Sequence, residues 1–174
     1  TNKKNVFYLD KEYKNKFDLI NNKVGSKYYL FHIDDKSNRL NSYQFNSLLS
    51  SITKLSLNRK LLLTLGIGIL HHEKAIKKKF NIIDYKIVNE SFQIHSSEVL
   101  CLKNLPLNLL AYFIANAEAN ISMHSGSIVH ISAAFDKLII DIVESNKFDE
   151  LDRWIPLISK YKRFDLNKLN NFEI

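Results

Sequence analysis

Cys101 is the only cysteine in the chain, which excludes an internal disulfide and fits a reducing compartment. A small buried hydrophobe suits that cysteine better than a nucleophile. A bilayer span takes roughly 20 apolar residues, and the apolar stretch at residues 60–70 is too short for one. No secretory signal pattern is present. His71 and His72 are adjacent, and neighbours on a helix point apart, so they make a poor chelate; Asp34 with Asp35 does not complete a metal site either. No spaced carboxylate pair suggests glycoside hydrolysis. The tight basic run Lys77, Lys78, Lys79 has no nucleic-acid motif around it. Internal repeats and low-complexity blocks are also missing. No metal, no cofactor and no nucleic-acid partner are therefore expected.

What is present is 174 residues with a hydrophobic fraction of 45%, enough for one domain with a real core. Lys and Arg number 25 against 18 Asp and Glu, a net charge of +7. Nucleic acid, an anionic membrane surface and a small anionic ligand all suit that excess. The lysines are scattered, so the charge points to an anionic partner without naming it. The chain opens on Thr1, and a processed product or part of something longer is the expectation.

Apolar runs alternate with helical patterns along the chain. Residues 11–22 carry Tyr13, Phe17 and Ile20 at helical spacing, with Gly25 as the stop. Strands are expected at 27–33, 59–65, 98–102, 120–123 and 138–143, with a strand or ordered loop at 82–88. Helices are expected at 42–55, with Ser42 as N-cap, and at 71–80 and 107–117. Past Phe148 an amphipathic helix is expected, with Leu151, Trp154, Ile155 and Ile158 inward and a loose polar tail after Phe164. Such alternation gives an α/β fold: a Rossmann-like three-layer α/β/α domain with a parallel sheet. Residues 1–26 form a lead-in segment and helix, 27–164 the ligand-binding domain and 165–174 a polar tail.

The stretch at 120–135 organises this pattern: a short strand, a tight turn at His124, Ser125 and Gly126, and a helix opening near Ser127. In an open α/β sheet, ligands sit outside the carboxyl ends of the strands, and a helix N-terminus there suits a phosphate. Gly126 lets backbone approach a ligand closely. The same residues also suit a plain turn and cap. His130 admits two roles, a hydrogen-bond donor to phosphate or a packed helix histidine.

The order of these motifs resembles the C-terminal, donor-binding domain of the heptosyltransferase family, glycosyltransferase family nine, of GT-B fold, over residues 6–154. After a lead-in helix, that family has a strand, a polar loop with a basic residue and a helix, which resemble 28–33, 34–39 and 43–55 here. Its strand ending in a Gly-containing loop, with an acidic residue on the next helix, resembles 61–65, Gly66-Ile67-Gly68 and Glu73. Its signature of Asp, Ser or Thr, Gly, two residues and His resembles His124, Ser125, Gly126, Ser127, Ile128, Val129 and His130. Here His124 stands at the Asp position, and one extra residue precedes His130.

The resemblance implies one half of a GT-B glycosyltransferase that binds a nucleotide-diphosphate sugar for inverting, metal-independent transfer to a surface glycan such as lipopolysaccharide core. It implies His130 and Arg39 as catalytic groups. It implies His124, Ser125, Gly126, Ser127, Gly68 and Lys36 at the diphosphate, and Glu73 at the ribose. The partners it implies are the sugar donor, a glycan or glycolipid acceptor, and an N-terminal GT-B domain supplying the base. The expected setting is the cytoplasm, with peripheral contact at the inner membrane face. Two rival readings are a non-catalytic interaction or regulatory domain that keeps the half fold, and an epimerase-like half binding another nucleotide.

Overall fold

The computed structural model describes residues 9–25, 27–34, 40–58, 60–66, 72–80, 85–88, 91–95, 99–123, 125–157 and 160–171. Its strands are β1 (Tyr28–Ile33), β2 (Lys60–Leu65), β3 (Tyr85–Val88), β4 (Ser91–His95), β5 (Val99–Lys103), β6 (Ala119–Ser122), β7 (Leu138–Val143) and β8 (Tyr161–Asp165). They form one sheet in the order β3-β4-β5-β2-β1-β6-β7-β8. The six from β5 to β8 in that order run parallel. The pair β3–β4 is an antiparallel hairpin added to the β5 edge.

Helices cover both faces of the sheet, so the parallel strands read as continuous apolar runs rather than alternating ones. In β2, Leu61 to Leu65 are all buried. Phe31, Leu63, Ile121 and Ile140 face α2 (Ser42–Asn58) and α3 (Glu73–Lys79), packing on Phe45, Leu48, Leu49 and Ile76. Leu30, Leu62 and Leu102 face α1 (Lys11–Val24) and α4 (Leu107–Asn116), packing on Phe17, Leu109 and Phe113. Ile128 and Ile131 of α5 (Gly126–Ala134) join this second core. The expected three-layer Rossmann-like architecture is the observed one.

The lead-in helix α1 is bonded to the domain and not only laid on it. Asp10 caps it through Glu12 N at 2.9 Å, and Gly25, at φ 88°, ends it. The Tyr112 hydroxyl donates to the Asp10 carbonyl at 2.8 Å, and Phe17 packs on the rings of Tyr112 and Phe113. From β1, the buried Tyr28 hydroxyl donates to the Phe113 carbonyl at 2.7 Å, and burial pushes its pKa up from the ordinary phenol value. None of the described helices is long and apolar enough to cross a membrane.

Three expectations need correction. The N-cap of α2 is Asn41, not Ser42. Asn41 Oδ1 accepts from Gln44 N at 2.9 Å and Gln44 Oε1 accepts from Asn41 N at 3.1 Å, a reciprocal capping box one residue earlier. The sheet is not wholly parallel, because the hairpin extends it. The C-terminal stretch is not one amphipathic helix with a loose tail. It has a single turn, α6 (Phe148–Leu151), then a 3-10 turn that leaves Trp154 53% exposed. Leu151 and Ile155 are half-buried, and Ile158 lies outside the described residues. Next comes β8, whose charged side chains suit an edge strand. Leu166 then returns to the core at 7% exposure, because the end of β8 delivers it beneath α2.

Asn41→Ala is expected to cost about 1 kcal/mol, as loss of an N-cap does, and Ser42→Ala only a few tenths, read from denaturant midpoints.

Candidate functional site

The chain leaves β1 for α2 on one face of the sheet and leaves β6 for α5 on the other. β1 and β6 are neighbours, so their carboxyl ends flank the point where the winding reverses. Connections that diverge from adjacent strands open a crevice, and ligands of open α/β sheets bind in it. Residues 120–135, singled out from the sequence, supply one wall.

Helix α5 starts at Gly126, one residue earlier than expected, with Ser125 as N-cap in extended conformation (φ −81°, ψ 107°). The Ser125 carbonyl accepts the first helical bond from Val129 N at 3.0 Å, while its hydroxyl makes no capping bond. Its leading N–H groups therefore keep their positive end toward the crevice. A Cβ built on Gly126 meets nothing within 4 Å, and its φ is not left-handed. Neither crowding nor backbone geometry requires glycine there. Ser125 serves as the cap, and glycine at 126 leaves the backbone open to close approach. Ser127 and His130 are exposed beside Gly126, whereas Ile128, Val129 and Ile131 are buried. His130 is therefore not a packed helix histidine.

A second feature lies over the ends of β1, β2 and β5. A cavity of about 260 Å³ is lined there by His32, Thr64, Gly66, Asn104, Leu105 and Leu110. His32 Nδ1 and Thr64 Oγ1 are 3.0 Å apart, at 7% and 2% exposure. The strand ends are laced beyond the sheet ladders: Gly66 N donates to the Ile33 carbonyl at 2.9 Å and Asn104 N to the Leu65 carbonyl at 3.2 Å. Asn104 is left-handed at φ 55°, a conformation asparagine tolerates. At Gly66 the close approach is real, since a Cβ would stand 2.6 Å from Asp34 Cγ. Sequence reasoning missed His32, Thr64 and Asn104. The available signal was a polar residue inside each of two apolar strands, and an asparagine just past a third.

Glu73 opens α3. Its Oε2 pairs with Lys103 of β5 at 2.9 Å and its Oε1 with Lys77 at 3.3 Å. The i,i+4 pair read from sequence is present, together with a long-range partner. A ribose at this carboxylate would compete with two ammonium groups. Cys101 is fully buried, and burial, then the Glu73 charge, push its thiol pKa up, which keeps it unreactive. His72 packs on Phe45, with ring centroids 4.0 Å apart. The structure thus gathers Ser125, Gly126, Ser127 and His130 on one helix start and places Glu73 on α3, in the other layer. Lys36, Arg39, Gly68 and His124 lie outside the described residues.

No protein-family model matches the sequence, and no curated protein matches it. Solved structures do match. UDP-GlcNAc 2-epimerase of Methanocaldococcus jannaschii, in complex with UDP-GlcNAc and UDP, gives a TM-score of 0.61 at 12% identity, covering 92% of this chain and 40% of that one. The E. coli heptosyltransferase WaaC with ADP gives 0.50 at 16% identity, covering 83% and 40%. ALG13, solved by NMR, gives 0.51 at 13% identity, covering 85% and 84%. The shared fold is a Rossmann-like α/β half-domain. At these identities the likeness concerns fold alone, and the heptosyltransferase is one of several proteins that share it. The chain spans 40% of the length of the epimerase and of the heptosyltransferase it matches.

The two glycines separate under substitution. Gly126→Ala is expected to leave stability unchanged or raise it by up to about 1 kcal/mol, because alanine is the better helix former and its Cβ meets open space. Gly66→Ala is expected to lose about 1–3 kcal/mol, because its Cβ runs into Asp34. Thermal and denaturant unfolding read both.

Proposed function

We propose that this chain is the donor-binding half of a GT-B glycosyltransferase, holding the diphosphate of a nucleotide sugar at the start of α5. The observation that carries this is the α5 N-terminus at the strand switch point, where Ser125 makes no side-chain capping bond and a glycine that the fold does not need leaves the backbone open. The amides of Gly126 and Ser127 and the hydroxyls of Ser125 and Ser127 are the donors offered to phosphate oxygens. The cavity over His32 and Thr64, at about 260 Å³, is large enough for a nucleobase with its ribose, and it opens on the same edge of the sheet.

In this reading the bond from sugar to diphosphate breaks with inversion, and negative charge grows on the departing nucleotide. Fixed donors and cations stabilise that charge without a metal. Arg39 and Lys36, in the β1–α2 loop, are the cations assigned to it. His130, one turn into α5 and exposed on the Gly126 side, donates from the other wall. The base that activates the acceptor comes from a second, N-terminal domain. A surface glycan such as lipopolysaccharide core is the acceptor class, reached by peripheral contact at the membrane face. The heptosyltransferase match, a protein solved with ADP, supports a nucleoside diphosphate at this seat.

An epimerase-like half is the second reading. The match to a UDP-GlcNAc 2-epimerase solved with UDP-GlcNAc and UDP is the observation behind it. Both enzyme readings need the same diphosphate seat.

Amide NMR titration of the chain with ADP, UDP, GDP and CMP at millimolar levels tests the seat, because half a cleft binds weakly. The expected result is saturable shifts at Ser125–Ser127 and His130 with a nucleoside diphosphate, and an affinity loss of at least about tenfold in Gly126→Val. Equal binding by Gly126→Val, or no binding of any nucleotide by the chain or by a longer protein containing it, contradicts the proposal.

A further inference from the structure

A polar row crosses the sheet beneath the proposed donor seat. Thr64 of β2, His32 of β1, Ser122 of β6, Asp141 of β7 and Arg163 of β8 are successive register partners. Register partners on parallel strands point to the same face, so the five side chains stand abreast over roughly 20 Å, at about 4.8 Å per strand. The face is the α5 side: Ile139, two residues before Asp141, packs on Val129 and Ala133. Four of the five, Thr64, His32, Ser122 and Asp141, are buried, the last two completely.

Asp141 is the feature that packing does not explain. It sits inside the apolar strand Leu138–Val143. A buried carboxylate is costly unless its oxygens are occupied, and an apolar residue of similar size is often neutral or better. Here both oxygens are occupied, by donors from different strands. Ser122 Oγ donates to Oδ1 at 2.8 Å, and the Tyr161 hydroxyl donates to Oδ2 at 2.7 Å. Burial, then the Asp141 charge, push the Tyr161 phenol up to about 12, so it keeps its proton and remains a donor at neutral pH. Behind it, Arg163 Nε reaches the Tyr161 oxygen at 3.5 Å, while Arg163 Nη1 holds Asp152 at 2.8 Å and the Phe148 carbonyl at 3.2 Å. The carboxylate thus has one arm on β6 and one arm on an edge strand that is itself anchored to the β7–β8 crossover.

What such a group supplies is direction rather than net stability. Ser122 is the last residue of β6, three before Ser125, and its hydroxyl is held to a fixed point on β7. We propose that Asp141 is a positioning residue that, through Ser122, fixes the exit of β6 and so aims the Ser125–Gly126 backbone at the diphosphate. This rests on the donor-site reading given above.

Three single variants and one double variant of the 174-residue chain separate the arms. Ser122→Ala and Asp141→Asn cut or weaken the arm to the site, and Tyr161→Phe cuts only the arm to the edge. The first readout needs no ligand: backbone 15N order parameters at residues 125–127. Ser122→Ala and Asp141→Asn are expected to bring them from about 0.85 toward 0.6 or below, with the β1 amides unchanged and Tyr161→Phe near the parent. The second is affinity for ADP and UDP, expected to fall about tenfold in the first two variants and less than about twofold in Tyr161→Phe, with the Ser122/Asp141 double variant no worse than either single one. Unchanged order parameters at 125–127 in both site-arm variants overturn the inference. So does a response of Tyr161→Phe equal to theirs, which marks a purely structural role. If the parent binds no nucleotide, the donor reading fails by itself and the ligand-free readout still decides whether Asp141 positions the loop.

Discussion

The pairing of β1 with β6 is the constraint on which the rest depends. Four register pairs, from Tyr29 with Ala119 to His32 with Ser122, bring together two strands separated in sequence by most of the domain. Because β1 feeds a helix on one face and β6 a helix on the other, this pairing opens a crevice where the connections part. It also stacks Phe31 and Ile121 into one core and places Leu30 in the other, so the floor beneath those strand ends is buried on both faces. Rigid strands end there, and the groups that follow them, Asp34 after β1 and Ser125 and Gly126 after β6, inherit their positions from the core.

Buried polarity collects at the same edge. Thr64, His32, Ser122 and Asp141 replace hydrophobes near the carboxyl ends of strands that are otherwise apolar. The bonds that hold them cross between strands: His32 to Thr64, Ser122 to Asp141, and Tyr161 to Asp141. Such bonds resist shear between strands and fix side-chain directions, which greasy packing does less well. The cavity above His32 and the exposed start of α5 flank the row. A bound diphosphate would meet helix amides on one wall, with room for a base on the other.

Much of this was legible in the sequence wherever one local signal dominated. The run from Asn120 to Phe135 declares a strand, a Ser–Gly turn and a small-residue helix by composition alone, and the observed β6 and α5 fall within a residue of that reading. β1 and β2 were equally plain, since central parallel strands are apolar on both faces. The α2 cap was misread because Asn41 and Ser42 are both good caps, and only the reciprocal bond with Gln44 separates them. β4 was missed because residues 89–98 are mostly polar, and β8 because Lys162 and Arg163 look like a solvated helix until β7 offers its free edge. The row was invisible in principle: Ser122 and Asp141 are 19 residues apart, His32 and Thr64 32, and only the strand order makes them neighbours.

A crystal structure of this chain soaked with UDP or ADP tests the central claim most directly. The account predicts the diphosphate at the start of α5, its oxygens within hydrogen-bond distance of the Gly126 and Ser127 amides, and the base in the cavity over His32 and Thr64. A nucleotide bound away from the carboxyl ends of β1 and β6, or an α5 start left empty while nucleotide occupies another site, would contradict it.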